Sequence, residues 1–317
     1  MRTVFVLLTL FTHVSNKSLG SAPIPKGVTF DNALEDSVVY DPDETYEQNA
    51  NLLHTDPEIY QNVIKMTNES QKVAEVMDEA IIKFNYYSTR GYNFSLYENY
   101  SKYASSYFNK YTEPTDIGKF DIKIRCPSMY DEIVNILWDP NGAREYDSDF
   151  VIGQIVREYN PNLLMIRQFY KCYTSVRLAY YYTLAVKYKV SEDTTMIVKA
   201  SANINDHNRR DKKKYENVIV KSANSFKVDV GSQEDLQRGE YKKMFIHLSG
   251  YAVTKHKDHV EIIHIEAIND KPLTIAPKWY KLLNKSNRMT SLIDLDRYIH
   301  NKCEYSPKVG AVGYVIL

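Results

Sequence analysis

The chain has 317 residues, 40 Lys plus Arg against 40 Asp plus Glu, 44% hydrophobic residues, 11 Gly, 11 Pro, and 27 Tyr beside 2 Trp. That length buries a sizeable core as one large domain or two small ones, and the low Gly and Pro content excludes collagenous and low-complexity readings. A net charge of zero removes the long-range field that draws a protein to nucleic acid or to an anionic membrane, so any phosphate recognition is local.

Met1 and Arg2 precede an apolar run from Val4 to Val14, followed by the small residues Gly20, Ser21 and Ala22. This predicts a secretory signal peptide over 1–20. About 11 apolar residues do not span a hydrocarbon core that needs roughly 20. The stretch 21–56 is rich in acids (Asp31, Glu35, Asp36, Asp41, Asp43, Glu44, Glu47) and lacks periodicity, which predicts a flexible acidic leader.

Pro57, with Asp56 as N-cap, opens a helical pattern to about Phe84, carried by Val73, Val76, Met77, Ala80 and Ile81. The period then becomes two, and three runs around Tyr92–Tyr97, Lys102–Tyr111 and Phe120–Ile124 predict a meander of strands. Pro127 starts a second helix, with Met129, Ile133, Ile136 and Leu137 on one stripe, closing at Trp138-Asp139-Pro140. A second strand series is predicted at Gln154–Tyr159, Leu163–Tyr173, Leu178–Val190, Thr194–Asn203, Asn217–Val228, Lys242–Thr254 and His259–Ile268. A last helix is predicted from Pro277 to Asn301, interrupted around Asn284 to Arg288. The main domain is therefore 57–301, with a tail over 302–317. The order is α+β, in which a long antiparallel sheet curls around a terminal helix.

Cys126, Cys172 and Cys303 are odd in number and sparse for a disulfide-dependent secreted fold; one pair can form, and the sequence does not select it. Asn68, Asn93, Asn99 and Asn284 begin Asn-x-Ser patterns, which read as surface markers.

The strand Leu178–Val190 is the most informative segment. Tyr180, Tyr182, Leu184 and Val186 alternate onto one face. Its neighbours offer Leu164, Ile166, Gln168 and Tyr170, and Met196, Val198 and Ala200. Several tyrosine hydroxyls and an amide on adjacent strands need partners, because each buried and unpaired one costs roughly 1–3 kcal/mol. An apolar pocket with convergent polar groups gives them a reason; a solid core in which each finds a backbone partner is the competing reading.

Ser175-Val176-Arg177 leading into Leu178-Ala179-Tyr180-Tyr181-Tyr182 resembles the Ser-x-Arg-Asp-aromatic strand of START lipid-transfer domains, with Leu178 in place of the usual Asp. Ser249-Gly250-Tyr251, His259–Ile268, Asp270 and Pro277-Lys278-Trp279 resemble that family's closing strands and its entry into the C-terminal helix. Leu137-Trp138-Asp139-Pro140, Tyr159-Asn160-Pro161-Asn162-Leu163, Ser201-Ala202-Asn203-Ile204-Asn205-Asp206-His207-Asn208 and Ser222-Ala223-Asn224-Ser225-Phe226-Lys227 resemble the fam-a proteins of rodent malaria parasites, a START-like group.

The resemblance implies a helix-grip fold, a curved antiparallel sheet around a long C-terminal helix, with an internal tunnel for one lipid. It implies phosphatidylcholine transfer, and secretion into the parasitophorous vacuole or the host cell. Arg144 lies near the position of a phosphate-contacting Arg in phosphatidylcholine-transfer relatives, although Tyr146-Asp147 follows it here. A zwitterionic head group needs a cation for its phosphate and aromatic rings around its quaternary ammonium. The candidates are Arg177 and Arg144 for the phosphate, Tyr180, Tyr182 and Tyr170 for the rings, and Gln168 as a neutral hydrogen-bonder. Leu184, Val198 and Trp279 complete the apolar wall.

Catalytic patterns are thin. His256-x-x-His259 with His247 and His264 lacks a recognised metal spacing, and His300 with Cys303 reads as a helix end. No Gly-x-Ser-x-Gly, phosphate-cradling loop or paired-Cys zinc pattern is present. Arg209-Arg210 with Lys212-Lys213-Lys214 is a basic loop, either solvated surface or a docking patch. The expectation is a non-enzymatic, monomeric carrier of one phospholipid that touches membranes transiently, with no cofactor, no metal and no nucleic-acid partner. The rivals are a START-like protein with a reduced cavity that contacts host or parasite partners through its surface, and a hydrolase with a dispersed site.

Overall fold

The computed structural model describes residues 57–89, 93–112, 115–171, 178–231, 234–269 and 278–305; the side chains of 57–67, 110–112, 235, 278–289 and 305 are not among the described ones. The expected signal peptide, acidic leader and most of the tail lie outside these residues, as do Cys172 and Arg177.

Helix α1 (Pro57–Ser88) contains no Gly and no Pro after its first residue. Val73, Val76, Met77, Ala80, Ile81 and Phe84 recur at helical spacing and are buried as one stripe. Strands β1 (Ser95–Ser101), β2 (Ala104–Thr112) and β3 (Thr115–Ile124) form the predicted meander. A 3-10 turn at Pro127–Met129 leads into α2 (Tyr130–Trp138). Then come β4 (Phe150–Asn160), β5 (Leu163–Tyr170), β6 (Ala179–Ser191), β7 (Thr194–Ala200) and the short β8 (Asn203–Asn205) and β9 (Lys227–Asp229). The short α3 (Glu234–Arg238), which sequence reading missed, precedes β10 (Lys242–Lys243), β11 (Phe245–Lys255), β12 (Val260–Asn269) and α4 (Lys278–Tyr305).

The ten-stranded sheet has the order β1-β2-β3-β12-β11-β7-β6-β5-β4, antiparallel along that path, with β10 added in parallel to β6. Both faces are covered, so β5 and β7 are buried at nearly every position rather than at alternate ones. On the outer face α1 and the segment 203–238 pack against Met165, Phe169, Tyr180, Tyr182, Leu184, Met196 and Val198. On the inner face α2 and α4 pack against Phe120, Ile122, Ile124, Ile197, Val253, Val260 and Ile262. Gly250 lets α1 approach β11, since a Cβ there would lie 3.0 Å from the Phe84 ring and 2.5 Å from Ile197 O.

Two expectations are corrected. Asn217–Val228 is not a strand until Lys227. The Asn217 Oδ1 accepts from the amides of Ile219 and Val220, its Nδ2 donates to the carbonyls of Ser201 and His247, and Glu79 of α1 accepts from the amides of Lys221 and Ser222. Side chains there satisfy the backbone groups that a strand would have paired. The second correction is α4, which runs through Asn284–Arg288 without interruption. That stretch is polar, and it contains neither Gly nor Pro to break a helix.

Cys126 and Cys303 form a disulfide across a separation of 177 residues. It joins the start of the α2 segment to the end of α4. Lys302 reinforces it with an ion pair to Glu132 at 2.6 Å, and Leu292, Leu295 and Ile299 bury the adjoining face of α4.

Candidate functional site

Strand register decides which predicted residues can meet. Arg167 and Phe169 of β5 lie opposite Tyr182 and Tyr180 of β6, whereas Gln168 and Tyr170 lie opposite Tyr181 and Ala179. The predicted cluster is therefore split across the sheet. Tyr180, Tyr182, Leu184 and Val198 face outward under α1, and Gln168 and Tyr170 face inward.

On the outer face the tyrosines are satisfied by protein. Tyr180 OH donates to Asp206 Oδ2 at 2.8 Å and accepts from Asn208 Nδ2 at 2.9 Å, while Lys243 pairs with the same carboxylate at 3.0 Å. Tyr182 OH accepts from Arg167 Nη1 at 3.0 Å, and Arg167 also donates to Gln154. Leu184 and Val198 are fully buried in the same packing. Among the described residues the polar atoms of this cluster are thus taken up by protein partners.

The inner face is different. Tyr146, which follows α2, and Tyr170, Tyr181 and Tyr251 are deep, and burial pushes each phenol well above its usual range. Each nevertheless keeps part of its surface accessible. Four deep but partly accessible tyrosines thus gather on the inner side of the sheet. Tyr170 stacks on Tyr181 with centroids 5.8 Å apart, and Tyr251 stacks on His264 at 4.6 Å.

The turn after α2 is fixed to the sheet by Asn141, whose side chain bonds the Gly153 amide and carbonyl, both at 2.9 Å. Gly153 admits this contact because a Cβ would collide with Pro140 O. Gln168 Nε2 donates to that same Pro140 oxygen at 2.7 Å, which leaves its Oε1 to accept from Tyr181 OH at 2.9 Å and from Lys199 Nζ at 3.3 Å. Lys199 is 9% exposed, and burial lowers its ammonium pKa from 10.5 to about 8. Across β11, Glu266 faces the same side in the same cross-strand row, through Ser249. Asp147, next to Tyr146, has its carboxyl pushed up by burial.

Sequence reading found Gln168 and Tyr170 and missed Tyr146, Tyr181, Lys199, Tyr251 and Glu266. The available signal was Lys199, a lone charge inside the apolar run Met196 to Ala200. Arg144 is exposed and donates to Asn141 Oδ1 at 3.4 Å. Arg177 and the Trp279 side chain lie outside the described residues. His256 and His259 stack at the β11–β12 hairpin, with Glu261 and Asp258 beside them.

No family model and no curated protein matches the chain. Solved structures do. The chain is similar to human StAR-related lipid transfer protein 5, with 11% identity over 75% of this chain and 98% of that one and a TM-score of 0.53. It also aligns with human STARD10, with 13% identity over 71% and 78% of the two chains and a TM-score of 0.48. The first likeness shows the fold: a START-like helix grip, with the large antiparallel sheet held against a C-terminal helix.

Proposed function

We propose that this chain is a lipid carrier that holds one phospholipid, phosphatidylcholine by the motif resemblance, in the space between the inner sheet face and α4. One observation carries the reading. A wall of deep but accessible tyrosines surrounds a buried lysine and an oriented amide, on the face that the C-terminal helix covers. The aromatic rings and the Glu266 carboxylate suit the cationic end of a zwitterionic head group.

Secretion is part of the proposal. The Cys126–Cys303 bond supports it, since disulfides persist in oxidising compartments. So is membership of the fam-a group of rodent malaria parasites, which rests on the segments around Trp138, Asn160, Asn203 and Asn224. The protein acts as a monomer that contacts a bilayer only while loading and unloading.

The test is mass spectrometry of lipids that co-purify with the folded chain, followed by transfer of labelled phosphatidylcholine between vesicles. Bound lipid that is moved and recovered intact is the expected result. A folded protein with no lipid supports the surface-interaction reading, and chemical turnover of the lipid supports the hydrolase.

A further inference from the structure

The ammonium of Lys199 has three N–H donors, and one of them is used, on Gln168 Oε1 at 3.3 Å. That acceptor already takes the Tyr181 hydroxyl. Among the described residues no carboxylate lies within ion-pair reach of Lys199. A buried charge without a counter-ion is costly, and it persists where a ligand supplies the missing charge. A second observation stands beside it. Thr183, two residues along β6 from the Ala185 that faces Lys199, has its hydroxyl buried with no partner. Two under-satisfied donors thus lie on the same face of neighbouring strands.

Resting on the carrier reading above, we propose that Lys199 is the anion-recognising residue of the chamber. It seats a singly charged oxyanion of the lipid head at the deep end of the space, with Gln168 as the positioning residue that aims it. The shared chemistry is an oxyanion attached to acyl chains, which a phosphodiester or a fatty-acid carboxylate provides. The lipid therefore enters head first, and a neutral lipid of the same length lacks the deciding contact. Arginine at this position keeps the charge and methionine removes it at similar volume.

The experiment measures uptake by the full chain from vesicles carrying trace labelled phosphatidylcholine, labelled oleate or labelled diacylglycerol, in wild type, Lys199→Met and Lys199→Arg. The expected result is at least a ten-fold loss of the anion-bearing lipid in Lys199→Met, with diacylglycerol uptake unchanged and Lys199→Arg retaining most of the wild-type preference. Which of phosphatidylcholine and oleate the wild type takes names the source of the oxyanion. Melting of the lipid-free proteins is the second readout: Lys199→Met melts at or above wild type, so its loss of uptake is not a loss of fold. Equal uptake by wild type and Lys199→Met overturns the assignment. So does a lower melting temperature with all three lipids lost together, which is the behaviour of a structural lysine. A folded wild type that takes up none of the three overturns the carrier reading itself, a result distinct from either.

Discussion

The two faces of the central sheet use the same residue types for opposite ends. Outward, Tyr180 and Tyr182 sit beside charged groups, and every hydroxyl is spoken for by Asp206, Asn208 or Arg167. Inward, Tyr146, Tyr170, Tyr181 and Tyr251 keep accessible surface, and the lysine among them has one partner. Hydroxyls are paired on both faces, so residual accessibility, and not residue identity, separates the outer polar cluster from the inner tyrosine wall. Substitutions that act on one face alone test the distinction.

The largest effect belongs to the outer face. Phe84→Ala empties a fully buried site against Gly250 and is expected to cost about 3–5 kcal/mol in chemical denaturation. Cys303→Ser removes the long-range clamp and is expected to cost about 2–5 kcal/mol, an effect that reductant reproduces in the wild type and not in the variant.

Lys199→Met has the opposite sign. Burial lowers the lysine from 10.5 to about 8, so between those values the folded state binds fewer protons than the unfolded state and stability rises with pH. Below about 8 the full cost of the buried charge is present. The lipid-free variant is thus expected to exceed wild type at pH 7 by about 3 kcal/mol, with the advantage fading as pH rises through that window. An advantage that is constant from pH 7 to 11 would show that packing, and not charge, causes it.

Tyr180→Phe, which removes the hydroxyl between Asp206 and Asn208, is expected to cost about 1–3 kcal/mol and to leave lipid uptake unchanged. Tyr251→Phe is the smallest perturbation to the fold, below about 1 kcal/mol, yet it is expected to change head-group selectivity in the transfer assay. Reversal of these last two outcomes would exchange the roles of the faces.

Much of the architecture was legible in the sequence. Alternation located the meander and the strands from Gln154 to Ile268, and Pro57 and Pro127 marked where helical segments begin. The site was harder to read, because period-two reasoning assigns one face of each strand to the core and the other to solvent. In β5 to β7 both faces are covered, so Tyr181 and Lys199, on the face set aside as the second one, are deep as well. Register then separated Gln168 from Tyr180, which no single strand reveals. Asn217 shows the other limit. Its run of β-branched neighbours, Val218 to Val220, reads as a strand until its amide is seen to serve the backbone locally.

The bond between Cys126 and Cys303 also has a mechanical meaning. A helix of 28 residues is about 42 Å long, and this one is pinned at its last turn. With Leu292, Leu295 and Ile299 buried beside it, the C-terminal half of the helix is the anchored one, and a tilt about that anchor would displace Lys278 most.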